Sequence, residues 1–78
     1  MRAEEISELI ERGLPGASVE VRGADGVHFE ARVVCAAFSG KRPIERHRMV
    51  HAALGAVLGA ELHALSLVTL APGEAREA

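Results

Sequence analysis

The side chains in this sequence best suited to binding a metal or acting as a nucleophile are His28, His47, His51, His63 and the single Cys35. Neutral imidazole is a common ligand for zinc, copper and iron. His47 and His51 stand four apart, the spacing that puts two rings on one face of a helix and occurs in zinc proteases. Arg48 follows the first of them where the protease motif requires a Glu base, and no third ligand lies close by, which argues against a metalloprotease. No Ser-His-Asp arrangement and no paired-carboxylate motif is identifiable, so no feature argues for an enzyme. Lys41, Arg42, Arg46 and Arg48 set against Glu45 give a local balance of +3 over residues 41–48. They fall at the entry to a predicted helix, where free backbone N–H groups also favour an anion. This is the one candidate nucleic-acid or acidic-partner surface, and a solvated helix face is the other reading of it. Gly40-Lys41-Arg42-Pro43 is neither a phosphate loop nor the Gly-x-x-Gly clamp of KH domains.

A chain of 78 residues cannot divide its apolar residues between two cores, so a single domain over residues 1–78 is expected. With 49% apolar and 26% charged residues it should fold without staples. Phe29 and Phe38 are the only aromatics, which leaves little for a base-stacking surface. A net charge of -2 provides no global field toward nucleic acid or an anionic membrane. One cysteine rules out an intramolecular disulfide and any self-contained all-thiolate metal site, and it fits a reducing compartment. The start MRAEEISELIERG carries four Glu and no uninterrupted apolar core, unlike a secretory signal. No stretch reaches the roughly 18 apolar residues of a membrane span. Eight Arg to one Lys, with abundant Ala, fits a GC-rich coding genome, and a bacterial cytoplasmic location is the expectation.

Positioning these residues falls to a short series of elements. Ile6, Leu9 and Ile10 recur at helical spacing, and Gly13 before Leu14-Pro15 supplies a stop, predicting a helix over 3–12. Val19 and Val21 alternate with charges, Gly23-Ala24-Asp25-Gly26 carries an Asp-Gly turn signal, and Val27, Phe29, Ala31 and Val33 resume the alternation. That is a hairpin. Pro43 suits a first helical turn, and Ile44, Val50, Leu54, Val57 and Leu58 mark a longer helix to about residue 59, interrupted by Gly55 and closed by Gly59. Residues 62–70 are apolar on both parities, the pattern of a strand covered on much of both faces or paired centrally. Residues 71–78 read as a frayed tail. The connection between the second and third strands contains a helix, as a right-handed parallel crossover requires. The expected fold is α/β (α+β), in αββαβ order, with a three-stranded mixed sheet and both helices on one face.

Parallel neighbouring strands begin at the same sheet edge, and His28 opens the second strand as His63 opens the third. Two converging imidazoles would be half of a metal site; two strand-end histidines packed on their neighbours is the alternative that the residues alone leave open. Cys35 lies seven residues beyond His28, about 23 Å along a strand and on the opposite face, so it cannot join them. It reads as a small buried hydrophobe.

Four segments, Val27-His28-Phe29-Glu30-Ala31-Arg32-Val33-Val34, Phe38-Ser39-Gly40-Lys41, Arg46-His47-Arg48-Met49-Val50 and His63-Ala64-Leu65-Ser66-Leu67, together resemble the BolA family in order and approximate spacing. The resemblance covers nearly the whole chain and implies a fold like class II KH domains. It also implies a small non-enzymatic partner of monothiol glutaredoxins in iron-sulfur trafficking and iron homeostasis, with some relatives acting as DNA-binding transcription regulators. In the family the His opening the last strand is the recurrent cluster ligand, a position held here by His63. A second His or Cys comes from the loop between strands one and two or from its end. That loop is short in this chain, spanning residues 23–27, and His28 is the remaining candidate. The resemblance further implies a 2Fe-2S cluster shared with a glutaredoxin Cys and glutathione, no cofactor in the apo protein, and an apo monomer or weak homodimer away from membranes. The family's acidic, Trp-containing ending is reduced to Pro72-Gly73-Glu74-Ala75.

Overall fold

A computed structural model describes residues 1–23, 25–60, 62 and 64–77, with side chains described through residue 75. Ala24 in the expected turn and His63, the expected principal ligand, lie outside the described residues. The chain forms α1 (Ala3–Gly13), β1 (Ser18–Arg22), β2 (His28–Val34), α2 (Pro43–Leu54), β3 (Ala64–Leu70) and α3 (Pro72–Glu77), with 3-10 turns at Ala36–Phe38 and Gly55–Val57. The sheet order is β1-β2-β3, with β1 antiparallel and β3 parallel to β2. The mixed sheet and the crossover through α2 are as the sequence predicts.

Alternation along each strand separates the two faces of the sheet. Phe29, Ala31 and Val33 are buried, and the register sets Val19 and Val21 of β1 and Leu65 and Leu67 of β3 beside them. Against this face pack Ile6 and Ile10 of α1 and Val50 and Leu54 of α2, joined by Phe38 and Leu62 in one core. The two helices approach closely at Gly13, where a Cβ would lie 2.4 Å from that of Ala53. Gly13 is thus the last residue of α1, serving helix packing, and the helix stops at Leu14. The other face is open. Its cross-strand pairs Glu20↔Arg32 and Arg22↔Glu30 match opposite charges.

Three local expectations need correction. β3 is an edge strand, neither paired centrally nor covered on both faces, and Val68 on its open face is 40% exposed. The central strand is β2, whose charged open-face residues reflect a sheet covered on one side only. α2 ends at Leu54: Gly55 takes a φ of 61°, a left-handed value that suits glycine, and starts a 3-10 turn rather than interrupting a helix to residue 59. Within the tail, where Ala78 lies outside the described residues, Pro72–Glu77 form a helix, α3. Pro72 sits at its first position, and the Glu74 carboxylate accepts the Ala71 N–H at 3.1 Å.

Candidate functional site

Two places gather the chemically capable residues: the tip of the β1–β2 hairpin, and the junction of α2 with the C-terminal end of β3.

At the hairpin tip the Gly26 N–H donates to the Gly23 carbonyl at 3.3 Å, and Gly26 takes a φ of 72° to make the bend. Asp25 ties this turn to the start of β2. Its Oδ1 accepts the backbone N–H of Val27 at 2.9 Å and of His28 at 2.8 Å, while its Oδ2 lies 2.7 Å from His28 Nδ1. These bonds, led by the one from the His28 ring, hold the Asp25 carboxyl well below the usual carboxylate range. An ionised carboxylate only accepts, so Nδ1 carries the ring proton and, in neutral imidazole, Nε2 carries the lone pair. The His28 side chain is 76% exposed, and among the described residues only its Nδ1 is hydrogen-bonded. His28 pairs in register with Ala64, the residue that follows His63, so the expected common edge of β2 and β3 exists. Asp25 thus holds one ring nitrogen of a largely exposed imidazole, and Nε2 is the nitrogen left to accept. Among the described residues no group of three or more His, Cys, Asp or Glu could hold a metal ion.

Cys35 is buried just past the far end of β2, its N–H donating to the Leu70 carbonyl at 3.0 Å, well separated from His28 along the strand. His47 is half-buried and His51 exposed on α2.

At the second place, the four basic residues do not form one surface. Lys41, Arg42 and Arg48 are exposed, whereas Arg46 is 7% exposed. Its Nε donates to the Lys41 carbonyl at 2.8 Å and its Nη1 to the Thr69 carbonyl at 3.2 Å. Both Nη atoms engage Glu74, at 2.6 and 3.0 Å, and the guanidinium lies 5.9 Å from the centroid of the Phe38 ring. Bonds from Arg46 and then from the Ala71 N–H pull the Glu74 carboxyl down to about 2. Arg46 is thus a clasp between α2, β3 and α3, unavailable to a phosphate. Arg42 is partly engaged as well, 3.3 Å from Glu45, whose carboxylate also accepts the Arg42 N–H.

In sequence Asp25-Gly26 signals only a turn, and the Asp-x-x-His spacing is the one signal for the Asp25 contact. The Glu74 contact has a signal too. Ala71-Pro72-Gly73-Glu74 repeats the Pro and Glu offsets of Arg42-Pro43-Ile44-Glu45, which begins α2.

An antiparallel hairpin joined through a helical crossover to a parallel third strand, with helices on one face, defines a small α+β domain of the BolA fold. Residues 11–74 match the family described as BolA-like protein, and the chain belongs to that family. It is 36% identical over 81 residues to human BolA-like protein 1, covering 92% of this chain and 59% of that protein, so it spans about three-fifths of that relative's length. A bolA protein homologue from Coxiella burnetii superposes with a TM-score of 0.88 at 42% identity, covering 97% of each chain. The BolA domain of SufE1 from Arabidopsis thaliana gives a TM-score of 0.80 at 38% identity, covering 94% of each.

Proposed function

We propose that this chain is an adaptor that partners a monothiol glutaredoxin and co-ligates a 2Fe-2S cluster, in iron-sulfur trafficking or iron homeostasis in a reducing, cytoplasmic setting. The observation that carries this reading is His28: an exposed imidazole at the edge where β2 and β3 begin, bonded at Nδ1 and open at Nε2 among the described residues. Membership of the BolA-like family supports it, and the reading takes His63 as the principal ligand with His28 as the second. Two imidazoles leave two of the cluster's four terminal positions to outside donors, which a glutaredoxin Cys and a glutathione thiol would fill. Neutral imidazoles leave less negative charge on a cluster than thiolates do, which raises its potential and suits transfer or sensing. The alternative, a DNA-binding regulator, retains Lys41, Arg42 and Arg48 but loses Arg46 to the clasp with Glu74.

Mixing the protein with a glutathione-bound 2Fe-2S monothiol glutaredoxin and following visible circular dichroism tests the reading. His63→Ala and His28→Ala should each change the cluster spectrum and its lability, His63→Ala the more, with the apo fold retained. Cys35→Ser should leave ligation unchanged. Complexes of both histidine variants indistinguishable from wild type would sink the assignment. Specific duplex-DNA binding at physiological salt that Arg42→Ala and Arg48→Ala abolish would favour the regulator instead.

A further inference from the structure

We infer that Asp25 is a positioning residue for His28: its carboxylate holds the ring in the Nδ1–H tautomer and leaves Nε2 as the nitrogen presented to iron. This rests on the reading of His28 as a cluster ligand and adds to it a residue that acts through the ligand.

The contact differs from an ordinary surface ion pair in being anchored. Oδ1 of Asp25 is fixed by two backbone donors, the N–H groups of Val27 and His28, before Oδ2 meets the ring at 2.7 Å. The carboxylate is therefore part of the turn, and its free oxygen has little choice of direction. The two side chains are 54% and 76% exposed, so the pair stabilises the fold little. What it fixes is orientation. An imidazole unconstrained in water exchanges between two tautomers and several rotamers, and only those with a lone pair facing the metal can bind. Histidine ligands usually donate their second N–H to a carboxylate or carbonyl, which sets the tautomer and raises the basicity of the ligating nitrogen. In this chain the donor is Nδ1, so Nε2 is the ligating atom. The short hairpin makes this possible: the bend at Gly26 brings Asp25 back over the first residues of β2.

Asp25→Asn separates orientation from folding. The Asn carbonyl oxygen can keep the two backbone bonds while its amide presents N–H to the ring, forcing Nδ1 to accept and moving the proton to Nε2. Long-range proton–nitrogen correlation spectra of the apo protein, above the histidine titration, should show Nδ1–H for His28 in wild type and Nε2–H in Asp25→Asn. Asp25→Ala, the second variant should Asp25→Asn unfold, should give the mixture of free imidazole. With the glutathione-bound 2Fe-2S glutaredoxin as probe, Asp25→Asn should release iron to a chelator at least roughly tenfold faster than wild type, approaching His28→Ala. An unchanged tautomer in Asp25→Asn and Asp25→Ala overturns the inference. An inverted tautomer with wild-type cluster lability, where His28→Ala is labile, overturns it as well. Wild-type lability in His28→Ala instead removes the ligand that Asp25 would position, and the tautomer spectra identify that failure as one of ligation rather than of orientation.

Discussion

Arg46–Glu74 and Asp25–His28 are both contacts between a carboxylate and a nitrogen base, closed at 2.6 and 2.7 Å, and they do opposite things. The first joins residues 28 apart, with a guanidinium buried among Phe38, the Lys41 carbonyl and the Thr69 carbonyl. All three guanidinium nitrogens donate within the clasp, and burial of the side chain withholds it from a partner. The second joins residues three apart at an exposed turn, and the ring keeps a second nitrogen outside the contact. Burial makes the difference: a buried charge must be satisfied in full and so contributes to the fold, whereas an exposed one can be oriented from one side and work from the other.

Arg46→Ala should have the largest effect on stability. It takes a donor from two carbonyls and the cation from the Glu74 carboxylate, and a fall of roughly 10 °C in the thermal midpoint is expected. A change within 2 °C would mean the clasp is no stronger than a surface pair. Acid should weaken the same contact next. The Glu74 carboxyl is depressed to about 2 from an ordinary value of 4.5, so the stability it adds is fully present above about 4.5 and is lost as pH falls from there through about 2. Urea midpoints measured across that window should fall more steeply for wild type than for Glu74→Gln; parallel curves would contradict the linkage. Asp25→Ala and His28→Ala should come third, shifting the thermal midpoint by no more than about 3 °C because both side chains are exposed. A loss comparable to that of Arg46→Ala would erase the distinction between the two contacts. Lys41→Ala and Arg48→Ala should be the smallest, within about 1 °C, and a larger shift would place them in the clasp.

The sheet was legible because period-two alternation in Val19–Val21 and Val27–Val33 records which face the helices cover, and because a helix between two strands calls for a parallel return. The pattern of β3 suggests a strand covered on both faces or paired centrally because Val68 and Leu70 make its open face apolar; composition does not report a strand's neighbours, and β2 carries charges where it meets water. The clasp was hidden for a related reason. Arg46 is one of several basic residues in a run, and its inward turn depends on an acceptor 28 positions away that neither helical periodicity nor local charge balance relates to it. On the candidate site, His28 could be reached from its place at a strand start, but its orientation by Asp25 depends on turn geometry that the dipeptide signal only indicates in outline.

The most direct test of imidazole ligation is a pulsed electron paramagnetic resonance spectrum of the reduced 2Fe-2S complex, assembled from this protein labelled with nitrogen-15 and an unlabelled monothiol glutaredoxin with glutathione. Coordination by His28 and His63 predicts two strongly coupled nitrogen-15 nuclei, one lost in His28→Ala and the other in His63→Ala. A reduced cluster in the bound complex with no strongly coupled nitrogen-15 would contradict it.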